Sequence, residues 1–272
     1  MAPPGTSRLE VAWVDGSSAV TRAFATSPMK LLVPRPRGVS AWIYSSSFGG
    51  GLVAGDRTSL DLSLGPGTRA FVGTQSSTKI YRNPGRHASG HATTARLGAG
   101  SLLVFAPDPA QLFAHSTYCQ RQEFHLAGDA NLALVDGFSP GRVACGERWA
   151  FDHYASRNSV RVDDVPIYLD AVRLDPADGA LDSPFRGGRH GCLATLVLVG
   201  PALAEAAKAV FDDVSGREVG RRDETEVAAS RIRGGVVVRI GADGAESVGR
   251  ELRRWLAPVA PLLGDDPWQR KW

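Results

Sequence analysis

The chain predicts a mainly β fold: a body of stacked hairpins, β-solenoid-like coils or a plain sandwich, followed by a smaller C-terminal α/β part. Three observations point there. Thr58-Ser-Leu-Asp-Leu-Ser-Leu64 puts Leu60, Leu62 and Leu64 on one face and Ser59, Asp61 and Ser63 on the other, the period-two signature of a half-buried strand. Similar turns, Leu64-Gly-Pro-Gly-Thr68, Leu97-Gly-Ala-Gly-Ser101 and Leu126-Ala-Gly-Asp-Ala130, recur at a period of roughly 30 residues, each flanked by strand-like runs. From Gly191 onward the character changes to one fully apolar strand and two segments of helical period. The repeating turns suit stacked coils that lend each other apolar faces, and they suit a sandwich with similar turns equally well.

Leu9–Val14 is the first strand, and Leu31–Val33 and Trp42–Tyr44 are short ones on either side of the Pro34–Gly38 loop. Gly65-Pro66-Gly67 is predicted to reverse the chain after Leu64, so that Gly49–Arg82 forms a hairpin ending in a dense polar run, Thr74 to Thr78, then Lys79 and Tyr81. Arg86–Leu97 reads as a strand with His87 and His91 on one face. Leu102–Phe105 is broken by Ala106-Pro-Asp-Pro-Ala110, where Asp108 precedes a proline and is held extended. Cys119–Leu126, Asn131–Val135, a strand starting near Glu147, then Val160–Asp163 and Ile167–Leu174 continue the β pattern. In the last of these Asp170 shares a face with Tyr168, Val172 and Leu174, so it needs a partner, for which Arg142, Arg157 and Arg173 are candidates. Cys192–Val199 is a buried strand, and Gly200-Pro201 opens a helix through Phe211. Glu224–Ser230 and Val236–Ile240 form a strand pair, and Glu246–Leu256 is an amphipathic helix ended by Pro258. No Gly/Ser-rich linker interrupts the chain, so residues 1–272 are expected to form one unit, with the β body at about 9–175 and the α/β part at about 191–263.

At 43% hydrophobic and 22% charged residues the composition is that of an ordinary globular protein. No apolar run reaches the roughly 18 residues of a membrane span, and the first residues lack a signal-peptide pattern, so a cytoplasmic protein is expected. The net charge of +3 is spread over isolated pairs, Arg35/Arg37, Arg221/Arg222 and Arg253/Arg254, without the basic stripe that nucleic acid requires. Cys119, Cys145 and Cys192 contain no Cys-x-x-Cys and are expected to be reduced and mostly buried.

Motifs for a nucleophile elbow, a phosphate-binding loop, a zinc protease or a calcium loop are absent from the sequence. What remains is a set of polar residues at turns: Asp56, Thr74 with Gln75, Asp108, Glu147 and Asp170. His87 and His91 have no third ligand in their strand, which favours solvated or cross-strand hydrogen-bonded rings over a metal site. An enzyme of the hydrolase or lyase type would have to use Asp56, His87 and His91 on a β-solenoid. A carbohydrate-binding module would call for clustered exposed tryptophans, and the six here are dispersed.

The stretch Gly49-Gly50, Gly55-Asp56 and Gly73-Thr-Gln-Ser-Ser-Thr-Lys-Ile-Tyr-Arg82 resembles the signature of the urease accessory protein family UreD, also called UreH. The resemblance continues in order through Pro107-Asp108-Pro109, Phe113-Ala114, Tyr118, Gly141-Arg142, Gly146-Glu147, Ser156-Arg157 and Asp170–Leu174. It departs at Gly73, Ser76-Ser77, His115, Cys119 and Cys145. The resemblance implies a maturation factor that is not itself an enzyme. Such a protein binds a UreF-type accessory protein, recruits a UreG-type GTPase through it and docks on apo-urease, with no membrane or nucleic-acid partner. It implies no stably bound cofactor, but nickel in transit to a carbamylated dinuclear centre. The route is assigned to Asp56, Thr74, Gln75, Lys79, Asp108, Glu147 and Asp170, with Asp56 and Glu147 as transient nickel contacts. Gly50, Gly55, Tyr81, Pro109, Gly141, Arg142, Gly146 and Arg157 are assigned to the framework.

Overall fold

Strand β1 (Thr6–Val14) pairs with β2 (Ser17–Ala25), and β3 (Met29–Leu32) with β4 (Ala41–Ser47), both antiparallel. After β5 (Gly51–Leu52) the chain winds in coils. The first is β6 (Arg57–Leu64), β7 (Arg69–Thr74) and β8 (Lys79–Ile80); the second is β9 (Ser89–Leu97), β10 (Leu102–Ala106) and β11 (Ala110–Leu112). The third is β12 (Thr117–Leu126) and β13 (Asn131–Ser139), and β14 (His153–Val162) and β15 (Val165–Leu174) close the body as a hairpin. The C-terminal part comprises β16 (Cys192–Val199), α1 (Ala204–Ser215), β17 (Thr225–Ile232), β18 (Gly235–Ala242), α2 (Ala245–Leu256) and the short α3 (Ala260–Leu263). The structure, a computed structural model, describes residues 2–35, 38–85, 87–218, 220 and 223–270. Arg37, Arg86, Arg221, Arg222, Lys271 and Trp272 therefore lie outside the described residues.

Within each coil the first strand joins one sheet, in the order β15-β14-β12-β9-β6-β1-β2, and the second joins another, β17-β18-β16-β13-β10-β7-β4-β3. The third strands, β5, β8 and β11, form a short parallel side. Strands β6, β9, β12 and β14 are parallel neighbours, as are β4, β7, β10 and β13. The expected hairpin is thereby corrected, because β6 and β7 belong to different sheets and Gly65-Pro66-Gly67 is a corner. Inward residues of both strands enter one core, and each strand finds a partner of matching alternation one coil away. The three similar turns stack directly. Leu64 pairs with Leu97 and Leu97 with Leu126, while Gly98 N donates to Leu64 O (2.9 Å), Ala127 N to Leu97 O (2.9 Å) and Asp163 N to Leu126 O (3.0 Å).

Three apolar layers result. Leu62, Leu103, Phe124 and Val160 pack between the sheets; Leu52, Ile80, Leu112 and Phe151 fill the third side; Phe71, Val104, Leu196, Val238 and Leu256 pack beneath the helices. The second sheet is covered on both faces, which is why β10, Leu-Leu-Val-Phe-Ala, is buried at every residue while β6 alternates. Strand β16 runs antiparallel to β13 from Leu132 to Phe138 and carries the same sheet into β18 and β17. Ionic contacts of Arg217 with Glu251, and of Arg254 with Asp213, tie α1 to α2.

Three local expectations differ. Pro201–Leu203 is a 3-10 turn ahead of α1, which runs on to Ser215. Glu147 does not start a strand: it follows a 3-10 turn at Val143–Cys145, and β14 begins at His153. The cysteines are all free, but only Cys192 is buried, with its thiol pushed up to about 12 by desolvation. No helix among the described residues is long and apolar enough to cross a membrane.

The stacked corners are tight enough to test. A Cβ on Gly98 would lie 2.9 Å from Pro66 N and 3.0 Å from Leu64 O. Gly98→Ala should lower urea-unfolding stability by about 1–3 kcal/mol through forced backbone movement. Arg96→Ala, two residues earlier on β9, which removes only the exposed pair with Asp61, should cost no more than about 1 kcal/mol.

Candidate functional site

In-register stacking also aligns polar residues. On the first sheet Thr58, His91, Gln120 and Ser156 are successive ladder partners, and two residues further on Thr93, Gln122, Asn158 and Asp170 are. On the second sheet Asp136, Thr195 and Arg239 share a rung. Strand alternation sets all of these on the inner face, since their neighbours at two residues, Leu60, Leu134, Val197 and Val237, belong to the core between the sheets. One end of the interior is therefore polar from coil to coil.

Buried polar groups persist only when partnered, and these form a network. Gln120 Nε2 donates to Asp136 Oδ1 (2.8 Å), and Asn158 Nδ2 (2.6 Å) and Ser156 Oγ (3.3 Å) donate to Oδ2. Gln122 donates to Asn158 Oδ1 (3.0 Å), and Tyr118 to Gln120 Oε1 (3.2 Å). Burial pushes the Asp136 carboxyl above its ordinary range, with the charge of Asp170 adding to the shift and the three donors opposing it. The His91 ring lies between the Thr58 hydroxyl (Nδ1, 2.8 Å) and the Thr93 hydroxyl (Nε2, 3.1 Å), and desolvation lowers its pKa from 6.5 to about 4, so the ring is neutral at pH 7.

Two cavities meet at this network. One, of about 80 Å³, is lined by Thr74, His91, Asp108, Gln120, Gln122 and Asp136, and reaches Ser45–Ser47 and Gly50. The other, of about 480 Å³, is lined by Asp136, Ser156, Asp170, His190, Thr195 and Arg239. Asp136 and Gly137 belong to both. The smaller cavity has room for several waters, since one needs only roughly 10–15 Å³.

The residues singled out from the sequence divide between this interior and the coil ends. Thr74 and Asp108 lie inside: the Thr74 hydroxyl donates to Asp108 Oδ2 (3.0 Å) and accepts from Asp108 N (2.8 Å). Pro109 leads from that bend directly into β11. Asp170 is at the far mouth, where its partner is Arg239 (Nη2 to Oδ1, 2.7 Å), and not Arg142, Arg157 or Arg173. That partner is 69 residues away, on a strand brought alongside only by the sheet. Gln75 and Lys79 are exposed, and Arg157 is exposed on the outer face opposite Arg121.

Asp56 and Glu147 line neither cavity. Asp56 accepts from Val53 N (2.9 Å), next to Gly55, whose N–H bonds His87 O (2.8 Å). Glu147 accepts from Arg142 Nε (3.0 Å) and Ala114 N (3.3 Å), and the Arg142 guanidinium holds its carboxyl below the usual range. Arg142 lies 4.6 Å over the Phe113 ring, Phe113 meets Tyr81 edge-on at 5.4 Å, and Tyr81 Oη donates to Gly49 O (3.0 Å). These contacts stitch the third side, one coil to the next. Gly141, at φ 126°, permits the fold-back, since a Cβ there would meet Glu147 O at 1.7 Å, and Gly146 ends the 3-10 turn between them.

His87 and His91 are not a strand pair. His87 precedes β9 and is exposed, whereas His91 is within it and hydrogen-bonded across to Thr58, as the cross-strand expectation has it. Among the described residues no group of three His, Cys, Asp or Glu side chains is arranged to hold a metal ion. The interior polar residues that sequence reasoning missed are Asp136, Gln120, Gln122 and Asn158, and Ser156 entered only as a motif position. One signal was present: Gln120 and Gln122, and Ser156 and Asn158, repeat as polar pairs two residues apart on strands otherwise patterned for burial.

Parallel coils with a continuous polar end, and cavities on both sides of one buried carboxylate, define a β-solenoid scaffold with a polar interior. A family model described as "UreD urease accessory protein" matches residues 4–272. The chain is 48% identical over 269 residues to the urease accessory protein UreD of Sorangium cellulosum, covering 98% of this chain and 84% of that one. It is 42% identical over 268 residues to UreD of an Anaeromyxobacter species, covering 98% and 89%. It is 37% identical over 293 residues to urease accessory protein D of Arabidopsis thaliana, covering 97% and 99%. The chain belongs to the UreD family of urease accessory proteins.

The network makes opposite pH signatures at two residues. A depressed His91 favours the folded state above pH 6.5, and that share, at most about 3 kcal/mol, is lost as pH falls toward 4. His91→Gln should remove it from urea-unfolding stability measured across this range. A raised Asp136 acts the other way, costing stability as pH rises above the ordinary carboxyl value of 3.8. Asp136→Asn should flatten that fall. Asp136→Leu should instead cost about 1–3 kcal/mol for each donor left unpaired.

Proposed function

We propose that this protein is a urease maturation factor whose polar interior passes nickel toward apo-urease, within a complex that includes UreF-type and UreG-type accessory proteins, the latter held through the former. Membership of the UreD family supports the accessory role. The single observation that carries the passage is that Asp136 borders both cavities within a hydrogen-bonded file of hydroxyls, amides and carboxylates. A divalent cation moving through protein is suited by oxygen atoms in weak successive contacts, because one tight cage of stronger nitrogen or sulfur ligands would not release it. Asp108, Asp136 and Asp170 place carboxyl groups at the near end, the middle and the far mouth, and the Thr, Ser, Gln and Asn oxygens lie between them. Asp56 and Glu147 serve this function indirectly, as the groups that shape the ends of the coils. The protein carries nickel as cargo and works without catalysing a reaction of its own. A hydrolase or lyase centre gains no support, since no hydrogen bond joins Asp56, His87 and His91, and the Asp56 carboxylate and the His91 ring are each engaged elsewhere.

The test is maturation with urease and the other accessory proteins present. Asp136→Asn should lower the nickel content and activity of the urease produced about tenfold, equivalent to ~1.4 kcal/mol on the transfer barrier, while co-purification with the UreF-type partner persists. Normal nickel loading by that variant would refute the passage. Failure of the wild-type protein to co-purify with a folded UreF-type partner would refute the scaffold assignment.

A further inference from the structure

The far mouth of the file holds an ion pair between a largely buried carboxylate and an exposed guanidinium. Asp170 belongs to the interior, its side chain only 12% exposed, whereas the side chain of Arg239 is 59% exposed. Arg239 comes from β18 of the second sheet and Asp170 from β15 at the edge of the first, so the pair crosses the seam where the two sheets part. Strand β18 is held on both sides, by β16 and β17, so the Arg239 backbone is fixed while its long side chain has solvent to swing into.

The other ionisable side chains around this cavity have partners of their own. Arg186 donates to the carbonyls of Asp178 and Gly179, and Glu226 is shared by Arg189 (3.0 Å) and His190 Nε2 (3.2 Å). Among the described residues lining the mouth, Arg239 is the cation joined to a carboxylate of the file. Behind it, Asn158 connects the two acidic positions, as the ladder partner of Asp170 and a donor to Asp136. Without the guanidinium, Asp136 and Asp170 would face one water-accessible cavity beside Glu226, which Arg189 and His190 already engage, an arrangement that attracts a divalent cation. With it, the Asp170 carboxylate is neutralised and the guanidinium occupies the opening.

We infer that Arg239 is a tethered cationic latch on the passage: its guanidinium occupies the Asp170 carboxylate, and a divalent cation leaves the file by displacing it. The inference rests on the passage proposed above. It assigns that route a far opening and a residue that sets how long a cation remains there. A pair that served only to neutralise a buried carboxylate would leave cation affinity unchanged when removed and would affect stability alone.

The experiment is calorimetric titration of the purified full chain with nickel(II) alone, at low ionic strength and neutral pH. Arg239→Ala should bind nickel at least about tenfold more tightly than wild type. The double variant Arg239→Ala, Asp170→Asn should return to the wild-type isotherm. Arg239→Gln, which keeps a donor for Asp170 but removes the charge, should also show the gain and provides the same test if Arg239→Ala does not fold. A wild-type isotherm for the folded charge-removed variants overturns the latch, as does a gain that survives Asp170→Asn. Because the titration contains no urease, a failed latch is distinguishable from a failed passage, which is read from urease nickel content in Asp136→Asn.

Discussion

Parallel strands in a solenoid have to keep one register, because a slip by a single residue would turn every inward side chain outward. Here that register runs through β6, β9, β12 and β14 on one sheet and β4, β7, β10 and β13 on the other. Its effect is to place like with like along the coil axis: Leu64 beside Leu97 and Leu126 at one end of the interior, Thr58 beside His91, Gln120 and Ser156 toward the other. The apolar end supplies cohesion. The polar end is a continuous file because the same pairing rule that stacks leucines leaves each polar residue next to another polar residue, where hydrogen bonds offset the loss of water.

Such a file is costly to keep, and the cost localises at Asp136. Its carboxyl is desolvated and close to a second carboxylate, so it relies on Gln120, Ser156 and Asn158 as donors. A core of leucines would be more stable in the same space. An arrangement that sacrifices stability for a polar interior is expected where the interior itself has a task, and the proposed passage would be such a task.

The remaining motif residues keep the coils in place around that interior. Tyr81, Phe113 and Arg142 come one from each successive coil and meet on the third side, and Glu147 holds Arg142 over the Phe113 ring. The C-terminal strands extend the second sheet and contribute Thr195 and Arg239 to its inner face, while the helices cover its other face. They therefore complete the far mouth as well as the core.

Much of the β body was legible from residue order alone. Alternation marked Thr58–Leu64, the unbroken apolar run marked Cys192–Val199, helical spacing marked Glu246–Leu256, and the three recurring turns marked a period that stacked coils and a sandwich fit equally. The ordered motifs from Gly49 to Leu174 were enough to indicate the family, and Thr74, Asp108 and Asp170 were picked out as polar residues at structured positions. What the sequence could not decide was direction and partnership. Gly65-Pro66-Gly67 is compatible with a hairpin and with a corner, and the choice is made by a strand one coil away. Asp170 finds Arg239 instead of a nearer arginine, and Asp136, inconspicuous in Leu-Val-Asp-Gly-Phe, becomes the wall between two cavities. Local order determines the period and the face of each side chain because those follow from backbone geometry within a few residues. Which faces meet depends on pairing across tens of residues, and only the folded sheets decide it.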